Sequence, residues 1–218
     1  MIYLNRCITL IKMINFTDIN LNEITELCLI MNKYGSDKGN GWHNYTKIYH
    51  HLFKNKKNDL LNVFELGLGT NNLDIPSNMG KDGKPGASLY GWREYFPNSK
   101  IYGADIDTRI LFNSEKIKTY YTNQLDKNAI QNMWNNIEEK FDIIIDDGLH
   151  TFEANVIFLE NSFEYLKDNG IYIIEDIHKE DINKFNKYLD NNNYKKYQIL
   201  DIPNNNNPYD NVLIIITK

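Results

Sequence analysis

Two segments of the chain end apolar runs in paired acids: Phe141-Asp-Ile-Ile-Ile-Asp146-Asp147-Gly-Leu-His150, and Gly170-Ile-Tyr-Ile-Ile-Glu175-Asp176-Ile-His178. Each reads as a strand covered on both faces that breaks off abruptly into carboxylates. If the two strands are neighbours in one sheet, their carboxyl ends lie about 5 Å apart. Asp147, Glu175 and Asp176 then converge. Carboxylates crowded together repel one another, so some must take up protons or turn outward unless a cation sits among them. A hard cation such as Mg2+ uses oxygen ligands and keeps positions open for water or a substrate oxygen. We therefore expect Asp147, Glu175 and Asp176 to be metal ligands; helix capping is the alternative, and it suits one such pair better than two. His150 follows Asp147 by three residues. Its near-neutral imidazole suits the base that removes a proton from an attacking hydroxyl, against the alternative of an exposed loop histidine. His178 is the weaker choice, because it stands where the next helix begins.

A second site is written at Val63-Phe-Glu65-Leu-Gly67-Leu-Gly69-Thr70. Glycines at the end of a strand let the backbone turn sharply and approach a ligand at the carboxyl edge of an open α/β sheet. No third glycine follows, and Thr70 opens a long loop rather than a helix, which argues against a dinucleotide site. Ile101-Tyr-Gly-Ala-Asp105-Ile-Asp107 ends the next strand in an acid, where a carboxylate accepts hydrogen bonds from the ribose hydroxyls of an adenosine. The separation exceeds the usual roughly 20 residues, and the insertion 72–87 accounts for it. Asp105 is the expected ribose contact, and Asp107 the weaker one, with helix capping as its alternative. In Thr122-Asn-Gln124-Leu-Asp126, Gln124 is placed to border the adenine or the reacting group, and Asp126 is equally a helix cap.

The elements that must position these residues follow from periodicity. Strand-like stretches at 61–66, 101–106, 117–122, 141–145 and 171–174 alternate with helical stripes at 89–96, 130–137, 152–166 and 182–189. We expect Gly170 to supply the turn into the fifth strand. Two closing strands, 196–202 and 211–217, are joined by too short a link for a parallel crossover and must be antiparallel. Apolar residues from Leu21 to Met31 and from Tyr45 to Phe53 recur at helical spacing, around the Gly-rich loop 34–43. The expectation is an α/β, doubly wound, mostly parallel seven-stranded Rossmann-like sheet. It is preceded by an N-terminal extension and helical cover over residues 1–55, with the main domain at 56–218 and all of it one compact unit.

Composition narrows the function classes. The 218 residues carry a net charge of -5 with the signs interspersed, so no basic face for nucleic acid is expected. No apolar run approaches the ~20 residues that span a bilayer, and nothing after Lys12 resembles a signal-peptide cleavage site. Met13 is a candidate start, with residues 1–12 a dispensable extension. Cys7 and Cys28 lack metal-ligand spacing, and Cys28 falls on an apolar stripe. Reduced thiols and a cytoplasmic location are expected. A homo-oligomer is compatible with the sequence, which does not specify one.

Taken together, Asp147-Gly-Leu-His150, Glu175-Asp176, Glu65-Leu-Gly-Leu-Gly69 and Tyr102-Gly-Ala-Asp105 resemble the class I S-adenosylmethionine-dependent methyltransferases, and among them the metal-dependent sugar O-methyltransferases of the macrolide type. The resemblance covers 34–176. It implies S-adenosylmethionine and Mg2+ as cofactors, Asp147, Glu175 and Asp176 around the metal, and His150 as general base, with Asp147 also in the catalytic set. It further implies that Glu65, Gly67, Gly69 and Asp146 border the cofactor, that Ser88 meets its carboxylate, and that Tyr34-Gly-Ser-Asp37-Lys38 and Trp42-His43-Asn-Tyr45 cover it. The acceptor it implies is a hydroxyl of a sugar, glycan or nucleotide-linked sugar. A phosphorylated or phosphoramidate-bearing glycan precursor is the rival acceptor, which Lys81, Lys84 and Arg93 would meet. A nicotinamide-dependent oxidoreductase and a non-catalytic adenosine-binding module are the other classes weighed. The loop 71–85 is unlike the shorter macrolide-type version and is expected to shape the acceptor pocket or close over it.

Overall fold

The computed structural model describes residues 19–39, 41–194 and 196–218. Cys7, Met13 and the extension 1–12 lie outside them. Seven strands form one sheet: β1 (Asn62–Leu66), β2 (Lys100–Asp105), β3 (Ile117–Tyr121), β4 (Phe141–Asp146), β5 (Leu166–Ile174), β6 (Tyr197–Asp201) and β7 (Val212–Thr217). Their order is β3-β2-β1-β4-β5-β7-β6. The pairs from β3 through β5 are parallel, and β7 runs antiparallel to both β5 and β6. The doubly wound sheet with its closing hairpin is as expected.

Strand alternation sends side chains to opposite faces. Val63, Ile143, Ile145, Ile171 and Ile173 pack with α1 (Glu26–Tyr34), α2 (Tyr45–Phe53) and α3 (Ala87–Tyr95). Phe64, Ile144, Tyr172 and Ile174 pack with α4 (Lys127–Ile137), α5 (Phe152–Ser162) and α6 (Ile182–Asn191). Leu27, Tyr45, Ile48, Tyr49 and Phe53 are fully buried in the first of these cores, so the described part of the N-terminal cover shares its interior with the sheet. Cys28 is buried and unpaired.

Two elements depart from expectation. Helix α1 begins at Glu26 rather than Leu21, because the Thr25 hydroxyl accepts from the Cys28 backbone N–H and caps it there. Strand β5 begins at Leu166 rather than Ile171: helix α5 ends at Ser162, and Leu166 already pairs with Phe141. The register then jumps to Ile143 against Ile171, with Asn169 at φ +63°. The turn expected at Gly170 is thus a bulge within the strand.

Candidate active site

Leu66 pairs with Ala104 on β2 and with Asp146 on β4, and Asp146 pairs with Ile174 on β5. The segments leaving four strands therefore emerge side by side at the switch point, where open α/β sheets bind ligands. Gly67 turns there at φ +88°, and a Cβ on it would lie 1.8 Å from the Asp147 carbonyl oxygen. Only glycine fits. The cavity beside this turn is lined by Gly67, Gly69, Thr70, Asp105, Ile106, Thr122, Gln124, Leu125 and the segment from Asp147 to Leu149. Ile75, Pro76 and Ser77 of the loop 71–85 also line it.

Asp105 accepts from the backbone N–H groups of Leu68 at 2.7 Å and Asp107 at 2.8 Å, and its burial raises its pKa. Asp107 caps the helical turn Thr108–Ile110, and also accepts from Thr70, Asn72 and Arg109 at 2.6–2.7 Å. That is the capping role foreseen as its alternative. Asp126 likewise caps α4. The Gln124 side chain accepts from the Leu149 N–H and donates to Asp146, both at 2.8 Å. The buried Thr122 hydroxyl has no partner among the described residues although its residue lines the cavity. A buried hydroxyl without a partner is costly unless a ligand completes it. A cavity with close backbone approach, a buried acid and this free hydroxyl fits an adenosine-bearing cofactor.

Asp147 borders this cavity and joins it to the acid cluster. Ligand atoms of Asp147, His150 and Asp176 all lie within 4.8 Å of one another. His150 Nε2 is 3.2 Å from Asp147 Oδ1 and 3.7 Å from Asp176 Oδ2. Burial alone would lower the His150 pKa, but the Asp147 hydrogen bond and the charges of Asp176, Asp147 and Asp146 raise it to about 10. Burial and mutual repulsion push Glu65, Glu175 and Asp176 up, partly offset by Lys38 or His150. Against its own burial, Asp147 is held down by Lys38 and His150. The oxygen-rich donor set of Asp147 and Asp176 fits a hard cation.

Several residues stand elsewhere than expected. Lys38 does not cover the cavity; its ammonium lies inside the acid cluster, bonded to Asp147 and, at 2.7 Å, to Glu175, with Glu65 at 3.9 Å. Those charges raise its pKa despite burial. Glu175 does not join the group formed by Asp147, His150 and Asp176: its oxygens accept from Tyr49 and Lys38. His43 lies beside Asp176, with Nδ1 at 3.5 Å. The Tyr34 hydroxyl donates to Glu94 at 2.7 Å, and its ring stacks on Tyr90. Ser88 donates to Glu65, which also accepts from Trp92 Nε1 at 2.5 Å. Asp146 is fully buried behind the cavity, where Gln124 and Asn155 hold it, and burial raises its pKa to about 7. Lys81 and Lys84 are exposed, and Arg93 donates to the Pro97 carbonyl at 3.2 Å. Sequence reasoning gave no role to Thr122 at the cavity or to Tyr49 at the acids. Two tyrosines four residues apart on one buried helix face were the available signal for the last.

The family described as a methyltransferase domain matches residues 69–213. The tetracenomycin rhamnosyl 3'-O-methyltransferase of Streptomyces olivaceus is 31% identical over 66% of this chain and 35% of its own length. Mycinamicin VI 2''-O-methyltransferase of Micromonospora griseorubida is 28% identical over 70% of this chain and 36% of its own. This chain thus spans about a third of the length of these relatives. The solved structure of MycE, a methyltransferase of the mycinamycin biosynthetic pathway in complex with Mg and SAH, shares the fold. Its TM-score is 0.67 at 23% identity, over 89% of this chain and 55% of that one. Among the described residues, no helix is long and apolar enough to cross a membrane.

Proposed function

The chain belongs to the methyltransferase domain family, and from that premise we propose that it transfers the methyl group of S-adenosylmethionine to a hydroxyl of a sugar, glycan or nucleotide-linked sugar in the cytoplasm, with Mg2+ or a similar divalent cation at its acid cluster. The observation that carries this reading is the meeting of Asp147, His150 and Asp176 at the edge of the cavity lined by Gly67, Gly69 and Asp105.

S-adenosylmethionine brings an electrophilic methyl, so the protein's share is alignment and proton transfer. Gly67 and Gly69 admit the cofactor to the backbone, Asp105 receives the ribose hydroxyls, and Thr122 and Gln124 offer polar atoms to the base. Asp147 and Asp176 would hold the cation, which lowers the pKa of a hydroxyl beside it and offsets the negative charge that otherwise keeps His150 protonated. Glu175 stands beside them, held by Lys38 and Tyr49. His150 accepts the acceptor's proton as its oxygen attacks. The sugar acceptor rests on the relatives, whose names describe O-methylation of a rhamnosyl tetracenomycin and of mycinamicin VI.

The test is a methyl-transfer assay over nucleotide sugars and sugar glycosides, with S-adenosylmethionine and either Mg2+ or EDTA. A methylated sugar formed only with the metal is the expected product. Equal turnover in EDTA removes the cation from the reading. Methylation of non-sugar acceptors alone overturns the acceptor class.

A further inference from the structure

Two tyrosines on the buried face of α2 aim their hydroxyls at the two acids that follow β5. Tyr49 donates to Glu175 Oε1 at 2.6 Å, and Tyr45 to Asp176 Oδ1 at 2.7 Å. Residues four apart share one helix face, so this helix docks directly on the acid pair. The Tyr45 hydroxyl also accepts from the Asp176 backbone N–H at 3.3 Å. It therefore holds Asp176 at both its main chain and its carboxylate, with the Asp210 carbonyl a longer second acceptor at 3.1 Å. Asp176 needs such a clasp, because its φ is +55°. Outside glycine, that backbone region persists only where surrounding contacts hold it.

Tyr45 itself is fully buried, with its ring stacked on His43 at 4.7 Å. His43 Nδ1 in turn lies 3.5 Å from the same Asp176 oxygen. With Oδ1 engaged from this side, Oδ2 faces His150 Nε2 at 3.7 Å, toward the group formed with Asp147.

We propose that Tyr45 is a positioning residue for the cation site, its hydroxyl locking Asp176 in the left-handed pose that presents Oδ2 to the ion. The inference rests on the reading of Asp147 and Asp176 as cation ligands. Groups that orient a ligand from behind change metal affinity by about 10–100-fold when removed. Tyr45→Phe deletes one hydroxyl and keeps the stacked ring. Tyr172 supplies the control: it is equally buried and its hydroxyl has no partner among the described residues, so Tyr172→Phe deletes the same group without touching the acid pair's hydrogen bonds.

Mn2+ is titrated calorimetrically into the full chain and both variants, and thermal melting of each is recorded in EDTA. The wild type and Tyr172→Phe are expected to bind Mn2+ with the same Kd. Tyr45→Phe should raise that Kd about 10–100-fold while still melting cooperatively. Equal affinity of Tyr45→Phe and the wild type overturns the proposal, as does equal weakening in both variants. Loss of cooperative melting in Tyr45→Phe overturns it too, assigning the hydroxyl to the fold rather than to the site. Absence of Mn2+ binding by the wild type, seen before any variant is made, overturns the cation reading and this inference with it.

Discussion

His150 registers the charge balance of the site. In the metal-free protein, burial works against its charge, but the Asp147 hydrogen bond and the surrounding carboxylates prevail and raise its pKa to about 10. An unfolded imidazole titrates near 6.5. With the folded value above the unfolded one, the stabilisation is complete below about pH 6.5 and is lost as pH rises toward 10. The melting temperature in EDTA should accordingly fall between neutral and alkaline pH. His150→Gln should lose that part of the slope, abolish turnover and leave S-adenosylmethionine binding intact by calorimetry. Surviving turnover would remove His150 from the role of base.

At the scale of elements, the site depends on the close meeting of the β1 and β4 ends at Gly67. A left-handed backbone costs a residue with a Cβ about 1–2 kcal/mol, and here that Cβ would also collide with the Asp147 carbonyl oxygen at 1.8 Å. For a chain of this size, each kcal/mol lowers the melting temperature by roughly 2–4 °C. Gly67→Ala should therefore melt lower by at least about 2–8 °C and lose S-adenosylmethionine binding; unchanged melting and binding would contradict this reading of the turn. Much of this element-level arrangement was legible in the chain. Apolar runs ending in acids mark both the strands and the edge they share, and the glycines mark the crevice. What stayed hidden depends on contacts distant in sequence. Lys38 is expected as cofactor cover, yet its ammonium inserts between Asp147 and Glu175, more than 100 positions away. Tyr45 and Tyr49 stand on one helical stripe, and periodicity detects burial but is blind to where a hydroxyl points. The early start of β5 depends on a bulge that strand periodicity does not record.

At the scale of the whole molecule, the acid cluster ties the N-terminal helices to the sheet, since Lys38, Tyr45 and Tyr49 all bond to residues after β4 or β5. A ligand of the folded state alone stabilises by mass action, about 2.7 kcal/mol at a hundredfold excess over Kd. At roughly 2–4 °C per kcal/mol, saturating Mg2+ should raise the melting temperature by about 5–10 °C over EDTA. Monovalent salt at equal ionic strength should not. The most direct test of the central claim is native mass spectrometry of the purified full chain, mixed with S-adenosylmethionine and with a nicotinamide dinucleotide in competition. The account predicts a one-to-one complex with S-adenosylmethionine or its demethylated product, and none with the dinucleotide. Retention of the dinucleotide alone would contradict it.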